Sequence, residues 1–400
     1  MKIDLVNPSE HGILENAGDR VPIGLLSIGA TLKQRGHDVN VVDLNHKNFT
    51  YYVKEFEERQ PDAVGVSVYT SQVYREALDI AKWLRGRTRL IAGGYHATAM
   101  PETLTPYFDA VVTGEGEEGI EYALLHDGIY NPSPPNLSEI PRPARYMVDM
   151  NNYDMESEGE RQGTIITSRG CPYDCSFCGK MDNHVRFEPA RKVKAEIEDL
   201  REAGFKRLYF LDDCFTLNTE RMKDITKDLD MPYRATTRAN LLDRTKIDWL
   251  KGTGCDWLSM GFESGNDEVL ERVNKHMTTD NYRRAVEWTT EKGIKTKGFF
   301  ILGLPGETEQ TARETIELAK ELRGKGLTDA DFYFLTPFPG TPIWNNPEKF
   351  GIEITDKDFT KYNQVGGCFV NTEELKAERI EELVKEAKKE WHEFHDDLNF

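Results

Sequence analysis

The chain is predicted to be α/β throughout: an N-terminal doubly wound parallel sheet, then a partial (β/α)6 barrel, then a small helical C-terminal segment. Three observations carry that expectation. Short strands rich in Val, Ile and Leu alternate with amphipathic helical stretches over residues 1–128 and again over 161–345. A proline-rich stretch, 129–160, separates the two series. Three of the six cysteines stand within one short loop directly after the first strand of the second series.

In the first series, strands are expected at 2–6, 38–44, 63–68, 89–93 and 110–113, with helices at 22–35, 49–59, 71–85 and 117–126. A doubly wound sheet binds ligands outside the carboxyl ends of its strands. The loops there are 7–12, 69–71, 93–96 and 114–117. Paired glycines in two of them let a flat or bulky ligand lie on bare backbone, though ordinary tight turns would also use them. Pro132, Pro134, Pro135, Pro141 and Pro143 then exclude regular structure, so 129–160 reads as a linker.

The second series has strands at 164–168, 207–211, 233–237, 257–262, 295–302 and 330–335, with helices such as 191–203, 219–228, 280–292 and 308–323. Six strand–helix units fall short of the eight of a closed barrel. The extension 346–400 holds a charged amphipathic helix at 372–395, starting from a Thr372/Glu373 cap, and reads as a packing helix.

Four hundred residues at about 150 per domain suggest two or three domains. Lys and Arg number 51 against 69 Asp and Glu, a net charge of −18. Such a chain repels phosphate backbones, which argues against duplex nucleic acid as a partner while leaving room for a local basic pocket. No apolar run approaches the roughly 18–20 residues of a membrane span, and the N-terminus has no signal-peptide pattern, so the protein reads as cytoplasmic. Cys171, Cys175, Cys178, Cys214, Cys255 and Cys368 are too few for a disulfide scaffold in a chain of this length. Clustered cysteines point instead to metal or redox chemistry.

Cys171-Pro172-Tyr173-Asp174-Cys175-Ser176-Phe177-Cys178 is a C-x3-C-x2-C loop at the end of a barrel strand, where active sites form. Three thiolates can hold three irons of a cubane and leave the fourth open to a substrate. A structural zinc held with His184 or Cys214 is the competing reading. At later strand ends, Asp212, Asp213 and Glu263 are acceptors for an ammonium or ribose hydroxyls, and Arg238 is a donor for a carboxylate. Leu302 and Gly303 offer backbone to a flat ring. Cys214 either faces the same cavity or is a buried structural thiol, and Cys255 and Cys368 read as structural. No catalytic residue is assigned.

With Phe177 before its last cysteine, the loop resembles the signature of the radical S-adenosylmethionine superfamily. Further motifs match at successive strand ends: Phe210-Leu211-Asp212-Asp213, Arg238 in Thr236-Thr237-Arg238-Ala239-Asn240, Glu263-Ser264-Gly265, Gly298 to Glu307, and Thr336-Pro337-Phe338-Pro339-Gly340-Thr341-Pro342. The resemblance implies a 4Fe–4S cluster on Cys171, Cys175 and Cys178 whose open iron chelates S-adenosylmethionine. It places Phe177, Asp213, Arg238, Glu263, Ser264 and Leu302 at that site. Reductive cleavage would yield a 5′-deoxyadenosyl radical, with electrons from a donor such as flavodoxin or ferredoxin.

Pro22-Ile23-Gly24-Leu25-Leu26, Val66-Ser67-Val68-Tyr69-Thr70, Gly93-Gly94-Tyr95-His96-Ala97 and Gly114-Glu115-Gly116-Glu117 are similar to the Rossmann-like cobalamin-binding domain that precedes many such barrels. Ser67, Tyr69, Thr70, Ser71, Gly93, Gly94, Glu115 and Gly116 would then hold cobalamin. The D-x-H-x-x-G motif that supplies a cobalt ligand is absent: Ser9-Glu10-His11-Gly12-Ile13 and Asp43-Leu44-Asn45-His46 have other spacings. The resemblance implies binding without a protein histidine on cobalt. The expected activity is methylation of an unactivated carbon of a small-molecule or peptide substrate, as in class B radical methyltransferases. Oxidation, cyclisation or rearrangement without methyl transfer is the alternative, and a cofactor-based sensor without turnover is a third. Residues 130–160 and 350–368 are expected to shape the substrate pocket.

Overall fold

Six parallel strands form the first sheet, and its inner strands, such as Ala63–Ser67 and Ala110–Val112, are nearly continuous in small and branched apolar residues because both of its faces are covered. The computed structural model describes residues 1–11, 18–153, 155–180, 182–362 and 367–396. The chain divides into two compact units, Met1–Glu156 with Asp358–Gly366, and Ser157–Lys357 with Gly367–Phe400.

The first unit runs β1 (Lys2–Asn7), α1 (Ile23–Gln34), β2 (Asp38–Asp43), α2 (Phe49–Arg59), β3 (Ala63–Ser67), α3 (Tyr74–Leu84), β4 (Arg89–Gly93), α4 (Tyr95–Ala99), β5 (Ala110–Val112), α5 (Gly116–Ala123) and β6 (Gly128–Tyr130). Strand order is β2-β1-β3-β4-β5-β6, all pairs parallel. The order reverses between β1 and β3, so the binding crevice of the fold opens outside their carboxyl ends. Tyr52, Phe56, Ile80 and Leu84 of α2 and α3 bury one face. Leu25, Leu26, Ile120 and Ala123 of α1 and α5 bury the other.

The elements fall where the periodicity predicts, with informative exceptions. Helix 71–85 starts as a 3₁₀ turn over Ser71–Val73, because the Thr70 hydroxyl accepts the Gln72 N–H and caps it. The stretch read as a linker is partly structured. Its start adds β6, three residues too short to show alternation, and Leu137, Ile140, Ala144 and Tyr153 are buried. Ala144 N–H donates to the Leu26 carbonyl at 3.1 Å, and Tyr153 Oη to Asp43 Oδ2 at 3.0 Å. Proline forbids helix and ladder here, but the apolar residues between the prolines still pack.

The second unit begins with β7 (Glu156–Ser157), β8 (Glu160–Ile165), β9 (Ser168–Arg169), β10 (Arg186–Phe187), α6 (Ala190–Glu202), β11 (Arg207–Phe210), α7 (Thr219–Thr226), β12 (Tyr233–Thr237), α8 (Arg244–Gly252) and β13 (Cys255–Glu263). It continues with α9 (Asp267–Arg272), α10 (Thr279–Glu291), β14 (Lys295–Leu302), α11 (Glu309–Gly324), β15 (Asp329–Phe334), α12 (Pro342–Asn345), β16 (Glu353–Ile354), β17 (Val370–Asn371) and α13 (Ala377–Asp396). Its main sheet has the order β15-β14-β13-β12-β11-β8-β7, in which β8 and β11 to β15 are parallel. These are the six strands of a half-barrel.

Two differences matter. The first barrel strand is 160–165 rather than 164–168, its start hidden by polar Glu160-Arg161-Gln162, and Ser168–Arg169 instead pairs antiparallel with Arg186–Phe187. That hairpin brackets the cysteine loop. The last helix starts at Ala377, not at 372: the Thr372 hydroxyl accepts the Leu375 N–H at 2.9 Å and closes a turn, while the Asn371 side chain accepts the Ala377 N–H at 2.9 Å.

One guanidinium ties the start of the first sheet. Arg59 Nε donates to the fully buried Asp4 at 2.8 Å, and its Nη atoms reach the Asp38 carboxylate at 3.1 Å and carbonyl at 2.8 Å. Burial raises the Asp4 carboxyl above its ordinary value and Arg59 opposes this. Arg59→Ala leaves that acid buried without its cation, a loss of about 3 kcal/mol. A lowered urea midpoint by circular dichroism, recovered in part by Arg59→Lys, is the expected result.

Candidate functional site

At the carboxyl edge of the first sheet, the loops are cross-tied to one another. Glu10 N–H donates to Asn45 Oδ1 at 2.7 Å, and the Tyr69 hydroxyl donates to the Glu10 carboxylate. His11 Nε2 is spent on the Asn45 carbonyl at 2.8 Å and His46 Nε2 on the Gly18 carbonyl at 2.8 Å. Residues 12–17, which include the end of the predicted 7–12 loop, lie outside the described residues. The Ser71 hydroxyl lies 2.8 Å from Nδ1 of His96, whose Nε2 meets Thr103 Oγ1 at 3.0 Å. His96 is wholly buried, and desolvation pulls it down to about 4, so it is a neutral core residue.

The cobalamin candidates therefore separate. Ser67, half-buried at the end of β3, makes no side-chain hydrogen bond among the described residues. Gly93 is open: a Cβ there would meet only the Val112 carbonyl, at 3.8 Å. Gly94, at φ +108°, is required by the fold, since its Cβ would stand 2.8 Å from the Tyr69 backbone. Gly116 is likewise filled by Ile28, 2.5 Å from where a Cβ would be. Glu115 precedes the first turn of α5. Tyr69 ties its loop to Glu10, Thr70 caps the turn that follows and Ser71 meets His96, whereas Ser67 and Gly93, at the ends of neighbouring β3 and β4, present a hydroxyl with no side-chain hydrogen bond among the described residues and bare backbone.

In the second unit the cysteine loop is pinned from three sides. Cys171 N–H donates to the Asp182 carbonyl at 3.1 Å, Ser176 N–H to Val273 at 3.0 Å, and Ile343 N–H to Ser176 at 3.2 Å. Cys175 is buried, Cys171 half-buried and Cys178 exposed. A cleft of about 520 Å³ opens beside them, lined by Asp174, Cys175, Cys178, Lys180, His184 and Pro342.

Arg238 at the end of β12 faces this loop. Nη1 donates to Cys175 Sγ at 3.5 Å, Nη2 to the Lys275 carbonyl, and Nε to Asn240 Oδ1 at 3.4 Å. Its guanidinium stacks 3.7 Å from the Tyr173 ring. Three of the five N–H groups of an arginine are thus engaged. Glu263, at φ +65°, forms a buried ion pair with Lys275 Nζ at 2.6 Å. A Cβ on Gly261 would fall on that carboxylate, which is why the strand carries glycine there. Lys275 Nζ also lies 5.8 Å from the Phe177 ring.

Other candidates play different parts. Asp212 is fully buried and accepts from Thr167 Oγ1 at 2.9 Å and from the Ser168 hydroxyl, fixing the strand end, while Asp213 beside it is exposed. The Ser264 hydroxyl accepts the Asn266 N–H at 3.2 Å and lies 3.4 Å from Thr315 Oγ1. Leu302 is buried, its carbonyl accepting the Leu335 N–H. Cys171 shares a thiol hydrogen bond with buried Cys214, which lowers Cys171 and raises Cys214. Sequence reasoning missed Tyr173 and Lys275. Lys275 stands between Asn274 and His276, both left-handed non-glycine residues, and only that backbone brings it under the loop.

The donor set suits a polynuclear iron cluster. Among the described residues no three His, Cys, Asp or Glu side chains gather round one point, as a mononuclear zinc site requires. In a cubane each iron takes its own thiolate, so ligands spread along a loop suffice. A half-barrel with a three-cysteine loop at its carboxyl end is the arrangement that the resemblance to radical S-adenosylmethionine enzymes implies. Residues 165–319 match the radical SAM superfamily and residues 12–124 the B12 binding domain.

The chain is 30% identical to an uncharacterized methyltransferase of Pyrococcus horikoshii, over 97% of this chain and 91% of that one. It is 28% identical to the anaerobic magnesium-protoporphyrin IX monomethyl ester cyclase of Rubrivivax gelatinosus, over 91% of this chain and 73% of that one. The solved radical S-adenosylmethionine methyltransferase TsrM of Kitasatospora setae, with cobalamin and a 4Fe–4S cluster bound, has the same fold: TM-score 0.73, 23% identity, 88% of this chain and 80% of that one. The chain belongs to the cobalamin-dependent radical S-adenosylmethionine enzymes. No described helix is long and apolar enough to cross a membrane.

Two predictions follow from this geometry. Glu307 is wholly buried after β14, accepts the Gly303 N–H, and is pushed by desolvation up to about 8. Its folded form therefore holds a proton that the unfolded chain releases at ordinary carboxylate pH, so this contribution is full at low pH and is lost as pH rises through about 8. Between about pH 5 and 8, wild type should lose up to about 1.4 kcal/mol per pH unit relative to Glu307→Gln, read from urea midpoints. Separately, Gly94→Ala should cost more than about 1 kcal/mol because its backbone conformation excludes a side chain, whereas Gly93→Ala is nearly neutral. Equal midpoints for the two variants would contradict the close approach of Gly94 to Tyr69.

Proposed function

We propose that the protein is a methyltransferase that places a methyl group on an unactivated carbon of a small-molecule or peptide substrate. The observation that carries this reading is similarity to a methyltransferase along nearly the whole chain, both domains included. Cys171, Cys175 and Cys178 hold the 4Fe–4S cluster; Phe177, Asp213, Arg238, Glu263, Ser264 and Leu302 surround S-adenosylmethionine. Ser67 and Gly93 receive cobalamin directly, with Tyr69, Thr70, Ser71, Gly94, Glu115 and Gly116 shaping the loops.

When bound, cluster and S-adenosylmethionine supply a 5′-deoxyadenosyl radical that takes a hydrogen atom, and methylcobalamin supplies the methyl group. The chain itself positions. Arg238 holds Cys175 in place and keeps two N–H groups for a carboxylate. Lys275 neutralises Glu263 and so ties the end of β13 to the segment beneath the cysteine loop. Electrons come from a small external donor of the flavodoxin or ferredoxin kind.

A second reading, ring closure or oxidation without methyl transfer, is supported by the similarity to a cyclase. Product mass separates the two after anaerobic reconstitution with both cofactors. A gain of one CH2, with S-adenosylhomocysteine and 5′-deoxyadenosine together, supports methylation; loss of hydrogens alone supports the second. Cys171→Ala, Cys175→Ala and Cys178→Ala should each drop iron well below the about four per chain expected of a cubane and abolish deoxyadenosine. Wild type holding about one zinc and no iron overturns both readings.

A further inference from the structure

The half-barrel sheet has one face packed under helices and one face open. Along β12 to β14, Ala235, Leu258, Met260, Phe262 and Phe300 are fully buried, whereas Arg234, Trp257, Lys297 and Phe299 are half-exposed. Period-two alternation puts the second set on one face. Parallel register sets Tyr209, Arg234, Trp257 and Lys295 side by side across four strands. Asp256 is an extra residue between the partners of Tyr233 and Arg234, and this bulge brings Trp257 opposite Arg234.

Cations of this region are paired, with one exception. Arg207 Nη2 meets both Asp256 oxygens at 2.6 and 2.7 Å. Lys295 meets Glu158 at 2.8 Å, and Lys297 meets Asp329 at 2.8 Å and Asp331 at 3.0 Å. Arg234 has no carboxylate among the described residues, in a chain with 69 to offer. Its guanidinium lies 4.1 Å from the Tyr209 ring centroid and 5.9 Å from that of Trp257. Nη2 donates to Ser259 Oγ at 3.3 Å. Among the described residues, the buried Nε of Arg234 and the buried indole Nε1 of Trp257 have no acceptor.

A half-exposed cation with no carboxylate partner, whose Nε is buried without an acceptor beside a second unsatisfied donor, has hydrogen-bonding capacity that an anion can complete. We propose that Arg234, with Ser259 and the Trp257 N–H, is an anion subsite for a carboxylate or phosphate group of the substrate. The planar fork of a guanidinium, here 4.1 Å from the Tyr209 ring centroid, matches either oxyanion. The inference rests on the half-barrel being the substrate chamber; because Arg234 lies near the amino end of β12 and Arg238 just past its carboxyl end, the anionic group would be the part of the substrate remote from the cysteine loop, and the substrate an anionic molecule rather than a bare hydrocarbon.

The test is isothermal titration of the full-length reconstituted chain with inorganic phosphate and, separately, acetate, at ionic strength held constant with chloride. One anion should bind per chain, and Arg234→Gln should weaken it about tenfold or more, the worth of one charge-assisted hydrogen bond. Arg234→Lys should fall between, keeping charge without the fork. Preference for phosphate over acetate assigns a phosphoryl group, and the reverse a carboxylate. Should Arg234→Gln fail to fold, Trp257→Phe is read instead, with about threefold weakening expected. Equal affinity in wild type and the readable variant, or no binding of either anion by wild type, overturns the subsite. Deoxyadenosine formation by wild type is scored separately, so a chain that binds phosphate through Arg234 yet makes no deoxyadenosine keeps the subsite and loses the proposed activity.

Discussion

Arg238 connects the cysteine loop to the barrel, and most of the second unit's chemistry depends on that contact. From the end of β12 it donates to the Cys175 sulfur, covers the Tyr173 ring and caps the Lys275 carbonyl. Lys275 in turn neutralises Glu263 at the end of β13. Loop, third strand and fourth strand are therefore one polar assembly, in which a positive charge sits against a thiol sulfur.

The strand-end carboxylates show how one residue type is put to different uses by its surroundings. Asp212 is satisfied by hydroxyls and backbone of residues 167 and 168. Glu263 is satisfied by a lysine. Glu307 has backbone N–H groups alone and is consequently held protonated near neutral pH. Asp213, beside Asp212, remains exposed. Four acids on the same edge of one sheet thus present a single free carboxylate to the outside.

Much of this was legible in the sequence because the fold rests on period and spacing. Strands such as Ala63–Ser67 and Lys295–Leu302 announce themselves by composition, and the three cysteines by their spacing. What stayed hidden depends on tertiary proximity. The three residues of β6 carry no alternation, the prolines of 132–143 disguise a stretch that packs, and Thr372 caps a turn that local pattern cannot tell from a helix start. Gly94 looked like an opening for a ligand and is filled by the backbone of Tyr69. Lys275 and Tyr173 belong to no periodic element, so only the folded turn reveals them.

The hairpin of β9 and β10 bears on how a cluster enters this protein. It joins Ser168–Arg169 to Arg186–Phe187, so the fold itself draws together the two ends of the segment that carries the three cysteines. The entropy of closing that loop is met by ladder hydrogen bonds rather than left to iron–sulfur bonds alone. This differs from small zinc domains, in which the metal itself must collapse the chain.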